Sequence, residues 1–226
     1  MIILQKYRIA IRAMHKSSKI KKLILDFGGV IYHISHQKQK DTFEQMGFDD
    51  FNTLYSQVVQ NPLFARFECG KISDNDFREQ LNALIDKSFT PQQTDRAWNS
   101  ILVGFDTPTI KLLEQLKSRY SIFLLSNTNA IHYKIYAQQF LESFGYDING
   151  LFEKCFWSFK IGKRKPNRDV YEMIISECAI DKDNAIFIDD TEANIIAAER
   201  AGIRACLLTP GQKLADFFDE DFRVIL

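Results

Sequence analysis

The chain has 226 residues, 46% of them hydrophobic, and its 29 Lys and Arg are balanced by 29 Asp and Glu. That length can bury one domain plus a smaller inserted one, and the absence of net charge leaves no field to attract nucleic acid or an anionic membrane. No stretch approaches the roughly 20 consecutive apolar residues of a membrane-spanning helix, and Cys69, Cys155, Cys178 and Cys206 lack the paired spacing of a zinc site, so they read as reduced, mostly buried thiols of a cytoplasmic protein.

Residues 1–22 hold seven Lys or Arg and no Asp or Glu. Lys6, Arg8 and Arg12 interrupt the apolar residues too often for a secretory signal core. Residues 1–19 are therefore expected to be a basic extension, disordered or loosely packed. An apolar strand then runs into Asp26-Phe27-Gly28-Gly29-Val30. In a parallel α/β sheet that place is the carboxyl end of a strand, where ligands bind. The paired glycines let the backbone turn tightly and come close to a bound anion or cation.

Residues 36–106 lack long β-branched runs and show helical spacing, as at Phe77, Leu81, Leu84 and Ile85. Ser73, three residues before Asp76, suits a helix cap, and Thr90-Pro91 is a second start signal. This segment reads as a small helical cap inserted into a core made of residues 20–35 and 107–226. Thr107-Pro108 is expected to cap the next helix, and a strand begins at Ser121. A helix over 129–143, a strand over 154–158, a helix over 166–178 and a strand ending at Asp189 continue the alternation. Gly202 stops a further helix before a strand over 204–208. Such alternation predicts an α/β fold: a Rossmann-like parallel sheet covered on both faces, with the α-helical cap inserted after its first strand.

Three later segments match the chemistry of the Asp26 turn. The apolar run from Ser121 ends in Ser126-Asn127-Thr128-Asn129, whose hydroxyls and amides suit phosphoryl oxygens. Gly162-Lys163-Arg164-Lys165-Pro166 supplies fixed positive charge. The run Ala185-Ile186-Phe187-Ile188 ends in Asp189-Asp190, adjacent carboxylates fit for a hard cation such as Mg²⁺.

With these four motifs in this order, the chain resembles the haloacid dehalogenase superfamily of aspartyl-nucleophile hydrolases over nearly its whole length after residue 20. Asp26-Phe27-Gly28-Gly29-Val30, Ser126-Asn127-Thr128-Asn129, Arg164-Lys165-Pro166 and the stretch from Asp189 to Asn194 are similar to one branch in particular. That branch holds bacterial sugar-phosphate phosphatases akin to glucose-1-phosphate phosphatase and, more distantly, the phosphatase domain of soluble epoxide hydrolases. The resemblance implies a Mg²⁺-dependent phosphatase of a small phosphorylated metabolite, a sugar phosphate foremost. It makes Asp26 the nucleophile that forms an aspartyl-phosphate, and Ser126 and Asn127 the holders of the phosphoryl group. Lys165 neutralises charge shared by nucleophile and phosphate. Asp26, the Gly28 carbonyl and Asp190 hold the metal, and Asp189 supports it or ligates through water.

One position departs from the family pattern. Most phosphatases of the superfamily carry a second Asp two residues after the nucleophile, which protonates the leaving group and then activates water; here it is Gly28. His33 and His132 stand near the active-site loops in sequence and are candidates for the missing proton transfer. Substrate choice falls to the cap, where Phe64, Arg66, Phe67 and Glu68 match the position of the family's residues near the site, with Arg66 a candidate contact for sugar hydroxyls. Two other readings are a 2-haloacid dehalogenase, whose relatives usually show Tyr at the position of Gly28 and lack the acid pair, and a catalytically weak binding or regulatory protein.

Overall fold

A computed structural model describes residues 20–47, 62–181 and 183–225 of the chain; the basic extension 1–19 lies outside the described residues. Five strands form a parallel sheet: β1 (Lys22–Leu25), β4 (Ser121–Ser126), β5 (Lys154–Trp157), β6 (Ala185–Asp189) and β7 (Arg204–Leu207). Their spatial order is β5-β4-β1-β6-β7, with β1 in the centre. The central strands read as unbroken apolar runs because both faces are covered. Leu23, Leu25, Ile122, Leu124, Ile186 and Ile188 pack into one layer, and Ile24, Phe123, Leu125 and Phe187 into the other, following the two-residue alternation of a strand.

Helices α5 (Thr107–Leu116) and α6 (Ala130–Phe144) contribute to the first layer through Ile110, Leu113, Tyr136 and Phe140. Helices α8 (Arg168–Glu177) and α9 (Glu192–Arg200) contribute Val170, Tyr171, Ile174 and Ala198 to the second. A short α7 (Ser158–Ile161) follows β5. Because β1 pairs with β4 on one side and β6 on the other, the carboxyl ends of three strands stand next to one another.

Between β1 and α5 the chain builds a separate helical layer from α1 (His36–Gln45), α2 (Pro62–Glu68), α3 (Asp74–Leu84) and α4 (Pro91–Asn99). Residues 48–61 of this stretch lie outside the described residues. Phe43, Leu63, Phe64, Phe67, Phe77, Leu81, Ile85 and Ala97 close a core of their own, with Ile131 from α6 completing it. The start signals act as read: Ser73 and Thr90 each accept from the third residue of their helix, and Asp76 and Gln93 return the bond.

The stretch 36–106 is not wholly helical. Leu102–Phe105 is a strand, β3, antiparallel to β2 (Tyr32–Ile34), so the two passages between sheet and helical layer run side by side. Gly104, at φ 153, and Val103, which is exposed, weaken the apolar pattern by which a strand is recognised. The cap of α5 is Asp106, whose carboxylate accepts from the Thr109 N–H, leaving Thr107 and Pro108 inside the first turn. Helix α8 begins at Arg168, after Asn167 rather than at Pro166. The four cysteines are free thiols, but only Cys178 is buried; the other three are half-exposed. Among the described residues no helix is long and apolar enough to cross a membrane.

Phe77 stacks on Phe67 at 4.0 Å and has no exposed surface. Phe77→Ala should therefore cost about 3–5 kcal/mol, whereas Ser73→Ala, which loses one cap, should cost about 1 kcal/mol. Denaturant unfolding followed by circular dichroism measures both.

Candidate active site

Four loops leave the carboxyl ends of β1, β4, β5 and β6 and converge on Lys165. Its ammonium is 2.6 Å from Asp26 Oδ1 and 2.5 Å from Asp189 Oδ2, with only 1% of the side chain exposed. Burial alone would strip the proton from a lysine, but the two carboxylates outweigh it and raise the Lys165 pKa. Burial pushes the Asp26 carboxyl up to about 7; Lys165 opposes that shift and Asp189 adds to it.

Asp189 is tied down on both oxygens. The Thr191 N–H and the Asn194 amide donate to Oδ1, and Asn194 and Lys165 donate to Oδ2. Asp190, the exposed member of the pair, brings a third carboxylate, and oxygens of Asp26, Asp189 and Asp190 all lie within 4.8 Å of one another. Burial and the charge of Asp189 raise the Asp190 pKa. With one ammonium among three carboxylates, the cluster keeps an excess of negative charge made of hard oxygen donors, which suits Mg²⁺.

The two glycines differ. Gly29 lies at φ +80, and a Cβ there would overlap the Asp190 carboxylate; that residue must be glycine for Asp190 to stand where it does. A Cβ on Gly28 would meet only Ile34 carbons at 3.7 Å, ordinary contact. Crowding therefore does not exclude a Cβ at residue 28.

Ser126 ends β4 and Asn127 follows it, both lining one cavity, but the Asn127 side chain is engaged within the protein. Its Oδ1 accepts from the Lys165 N–H and its Nδ2 donates to the Lys165 carbonyl, both at 2.8 Å. The amide thus pins the backbone of the buried lysine.

A cavity of about 310 Å³ opens from Gly28, Ser126 and Asn127 into the interface with the helical layer. Residues of α2 reach it by helical spacing: Phe64 and Glu68, four apart, line it with Ala65. Arg66 sits on the opposite side of that helix, is exposed, and acts electrostatically on Asp76. It does not line the cavity. The cation that does is Arg164, whose Nε is 2.9 Å from Glu68 Oε2 without the alignment of a hydrogen bond. Burial raises the Glu68 pKa, with Arg164 and Lys165 opposing it. Arg164 belongs to a segment recognised from sequence, but its turn toward α2 carried no local signal.

Neither histidine stands ready to transfer a proton. His33 is exposed on β2 and outside the cavity lining. His132 lines the cavity, but its ring is spent: Nδ1 is 3.1 Å from the Asn129 amide nitrogen and Nε2 is 3.1 Å from the Trp98 carbonyl. Burial lowers its pKa to about 4. Nδ1 therefore accepts and Nε2–H donates, and the ring stays neutral.

Comparison with known proteins places this geometry. A D-ribitol-5-phosphate phosphatase of Bacteroides thetaiotaomicron is 29% identical over 183 residues, 81% of this chain and 89% of the relative. A sesquiterpene phosphatase of Aspergillus oryzae is 26% identical over 190 residues, 84% of this chain and 90% of the relative. A HAD family enzyme from Bacteroides thetaiotaomicron, solved with magnesium and inorganic phosphate, superposes with a TM-score of 0.80 at 29% identity, covering 88% of this chain and all of that one. An L-2-haloacid dehalogenase from Xanthobacter autotrophicus shares the fold, with a TM-score of 0.55 at 16% identity, 84% of this chain and 77% of that one being covered. The model of the haloacid dehalogenase-like hydrolases matches residues 20–202, and with Asp26, Lys165 and Asp189 joined at one sheet edge, the chain belongs to that hydrolase family.

Proposed function

We propose that this hydrolase is a Mg²⁺-dependent phosphatase that cleaves a small phosphorylated metabolite through an aspartyl-phosphate. The observation that carries the reading is the buried Asp26–Lys165–Asp189 array, with Asp190 beside it. The names of two relatives support phosphate-ester hydrolysis and differ in the alcohol, a polyol in one and a sesquiterpene in the other. A magnesium and phosphate complex of a structural relative supports the metal. The acid pair Asp189-Asp190 speaks against the dehalogenase reading, which has no use for a cation site.

Asp26 attacks phosphorus, its Oδ–P bond forming as the ester P–O bond breaks and the alcohol oxygen departs. Water then attacks the aspartyl-phosphate and releases inorganic phosphate and free Asp26. Ser126 Oγ and the Asn127 N–H hold the transferring oxygens. The Asn127 side chain keeps Lys165 in register, and Lys165 offsets negative charge as it shifts between carboxylate and phosphate. Asp26, the Gly28 carbonyl and Asp190 would hold Mg²⁺. Asp189, whose oxygens are occupied by protein donors, positions Lys165 and supports the metal from behind. Bound there, Mg²⁺ polarises the phosphoryl group and neutralises its charge.

Asp26→Asn should abolish phosphate release while leaving the fold intact, as read by a phosphate assay and circular dichroism. Asp190→Ala should abolish Mg²⁺-dependent turnover, whereas Asp189→Ala should lose its lysine contact and with it most of its activity. Gly29→Ala should weaken Mg²⁺ binding by about 10–100-fold through displacement of Asp190; Gly28→Ala, which fits, should not. Titration of Mg²⁺ into each variant by calorimetry checks the pair.

The absence of a carboxylic acid at Gly28 gives a further prediction. Without an acid there, esters whose alcohol leaves readily should be favoured, and the aspartyl-phosphate should be hydrolysed slowly. Rapid mixing with an aryl phosphate should show a burst of phenol before a slower steady state. Gly28→Asp should shrink the burst and raise turnover of primary-alcohol esters, a general acid or base supplying about 10²–10⁴-fold. A linear time course in the parent would show that another group already moves the proton.

A further inference from the structure

The alcohol must lie in the cavity beyond the phosphate, and the wall of that cavity is uneven. Its polar end is next to the catalytic loops: Gly28, Ser126 and the Glu68–Arg164 pair, where the charge of Lys165 is felt at Glu68. The rest of the lining from the helical layer and its connections includes Phe43, Phe64, Leu81, Trp98, Ile101 and Leu102.

Polar side chains also line it, Gln39 and His36 among them, and many of their polar atoms are already engaged: Gln39 Nε2 donates to the Trp98 carbonyl at 3.1 Å. Tyr32 Oη donates to Gln139 at 2.7 Å and Tyr136 Oη to Thr128 at 3.0 Å. Trp98 Nε1 points to Asn129 Oδ1 at 3.4 Å, and both His132 nitrogens are bonded to Asn129 and the Trp98 carbonyl. Each of these rings thus has its polar atoms bonded within the protein. The volume, about 310 Å³, is at the small end of ligand pockets, which run from roughly 300 to 1,000 Å³.

We infer that the preferred substrate is a phosphate monoester of a small hydrocarbon-rich alcohol rather than of a sugar or polyol. The inference rests on the phosphatase reading of the site and adds the class of alcohol. A methylene buried against this wall gains about fourfold in affinity. A hydroxyl moved there gives up water and meets carbon, a loss of roughly tenfold or more for each one left unpaired. Among the described residues, the charged side chains on the cavity wall are Glu68 and Arg164, both at its polar end.

The test compares n-pentyl phosphate with D-ribitol 5-phosphate. Both are five-carbon esters of a primary alcohol, so the absent acid at Gly28 penalises both alike, and they differ in hydroxyls. With Mg²⁺ present, kcat/KM for n-pentyl phosphate should exceed that for ribitol 5-phosphate by at least about tenfold. It should rise severalfold from n-propyl to n-pentyl phosphate. Ile101→Asn, which puts an amide on a half-buried part of the wall, should narrow the pentyl-to-ribitol ratio. A ribitol ester turned over as well as the pentyl ester, or a flat response to chain length, would overturn the inference while leaving the phosphatase reading intact. Absence of Mg²⁺-dependent phosphate release from every ester, an aryl phosphate included, would defeat the phosphatase reading. Calorimetric binding of the same two esters to Asp26→Asn decides the preference for alcohol without turnover: tighter n-pentyl phosphate supports it, and equal or tighter ribitol 5-phosphate refutes it.

Discussion

Lys165 sets the terms for the whole catalytic end of the molecule. A buried ammonium is sustained only if its charge is met at close range, and here Asp26 and Asp189 meet it from two neighbouring strands. That requirement fixes much else: β1 and β6 must pair in register, Asn194 must hold Asp189, and Asn127 must clamp the Lys165 backbone from the end of β4. The sheet edge is thus organised around one cation that cannot move away without leaving two carboxylates buried together. Addition of Asp190 leaves the cluster with more acid than base, a balance that a divalent cation restores.

The glycines show how little of this site is set by backbone sterics alone. Gly29 has no alternative, because its missing Cβ is the space the Asp190 carboxylate fills. Gly28 would accept a Cβ in ordinary contact with Ile34 and carries none. The absence of a carboxylic acid there is a chemical property of this chain, and neither His33 nor the neutral, fully engaged His132 compensates for it. Glu68 is the carboxylate that approaches the cavity from the helical layer; burial raises its pKa, and Arg164 and Lys165 oppose that shift.

The strands and their catalytic ends were legible because each is a short apolar run stopped by a polar or glycine residue, a signal local in sequence. Ser73 and Thr90 were legible for the same reason, each cap being written within four residues. What was not legible depends on direction in space. Residues 64–68 were recognisable as a stretch near the site, yet the choice between Arg66 and Glu68 turns on which side of α2 packs, and the core contacts of Leu63, Phe64 and Phe67 decide it. The side chain of Asn127 reads as a ligand donor until its partner 38 residues away is known. β3 escaped detection because Gly104 and an exposed Val103 interrupt its apolar pattern, and its pairing with β2 spans the entire helical layer.

Attachment of that layer to the sheet engages many of the polar groups that line the cavity among the described residues. Trp98 of α4 stacks on His132 of α6 at 5.1 Å, and both are bonded through Asn129, the residue that also caps α6. Gly70 lies directly on the Phe159 backbone, leaving no room for a side chain between α2 and α7. Polar atoms that would otherwise greet a ligand are used to join the two parts, and buried donors and acceptors must be used somewhere, since leaving them unpaired is costly. The interface therefore hides its hydrogen bonds within the protein and presents ring faces to the space between. Phosphate chemistry is confined to the sheet edge, where charge is concentrated, and selection of the alcohol to a wall that offers mainly contact area. The proposed catalytic array and this wall reside on different elements, so a substitution at Ile101 or Leu102 can alter the wall without disturbing the ion pairs of Lys165.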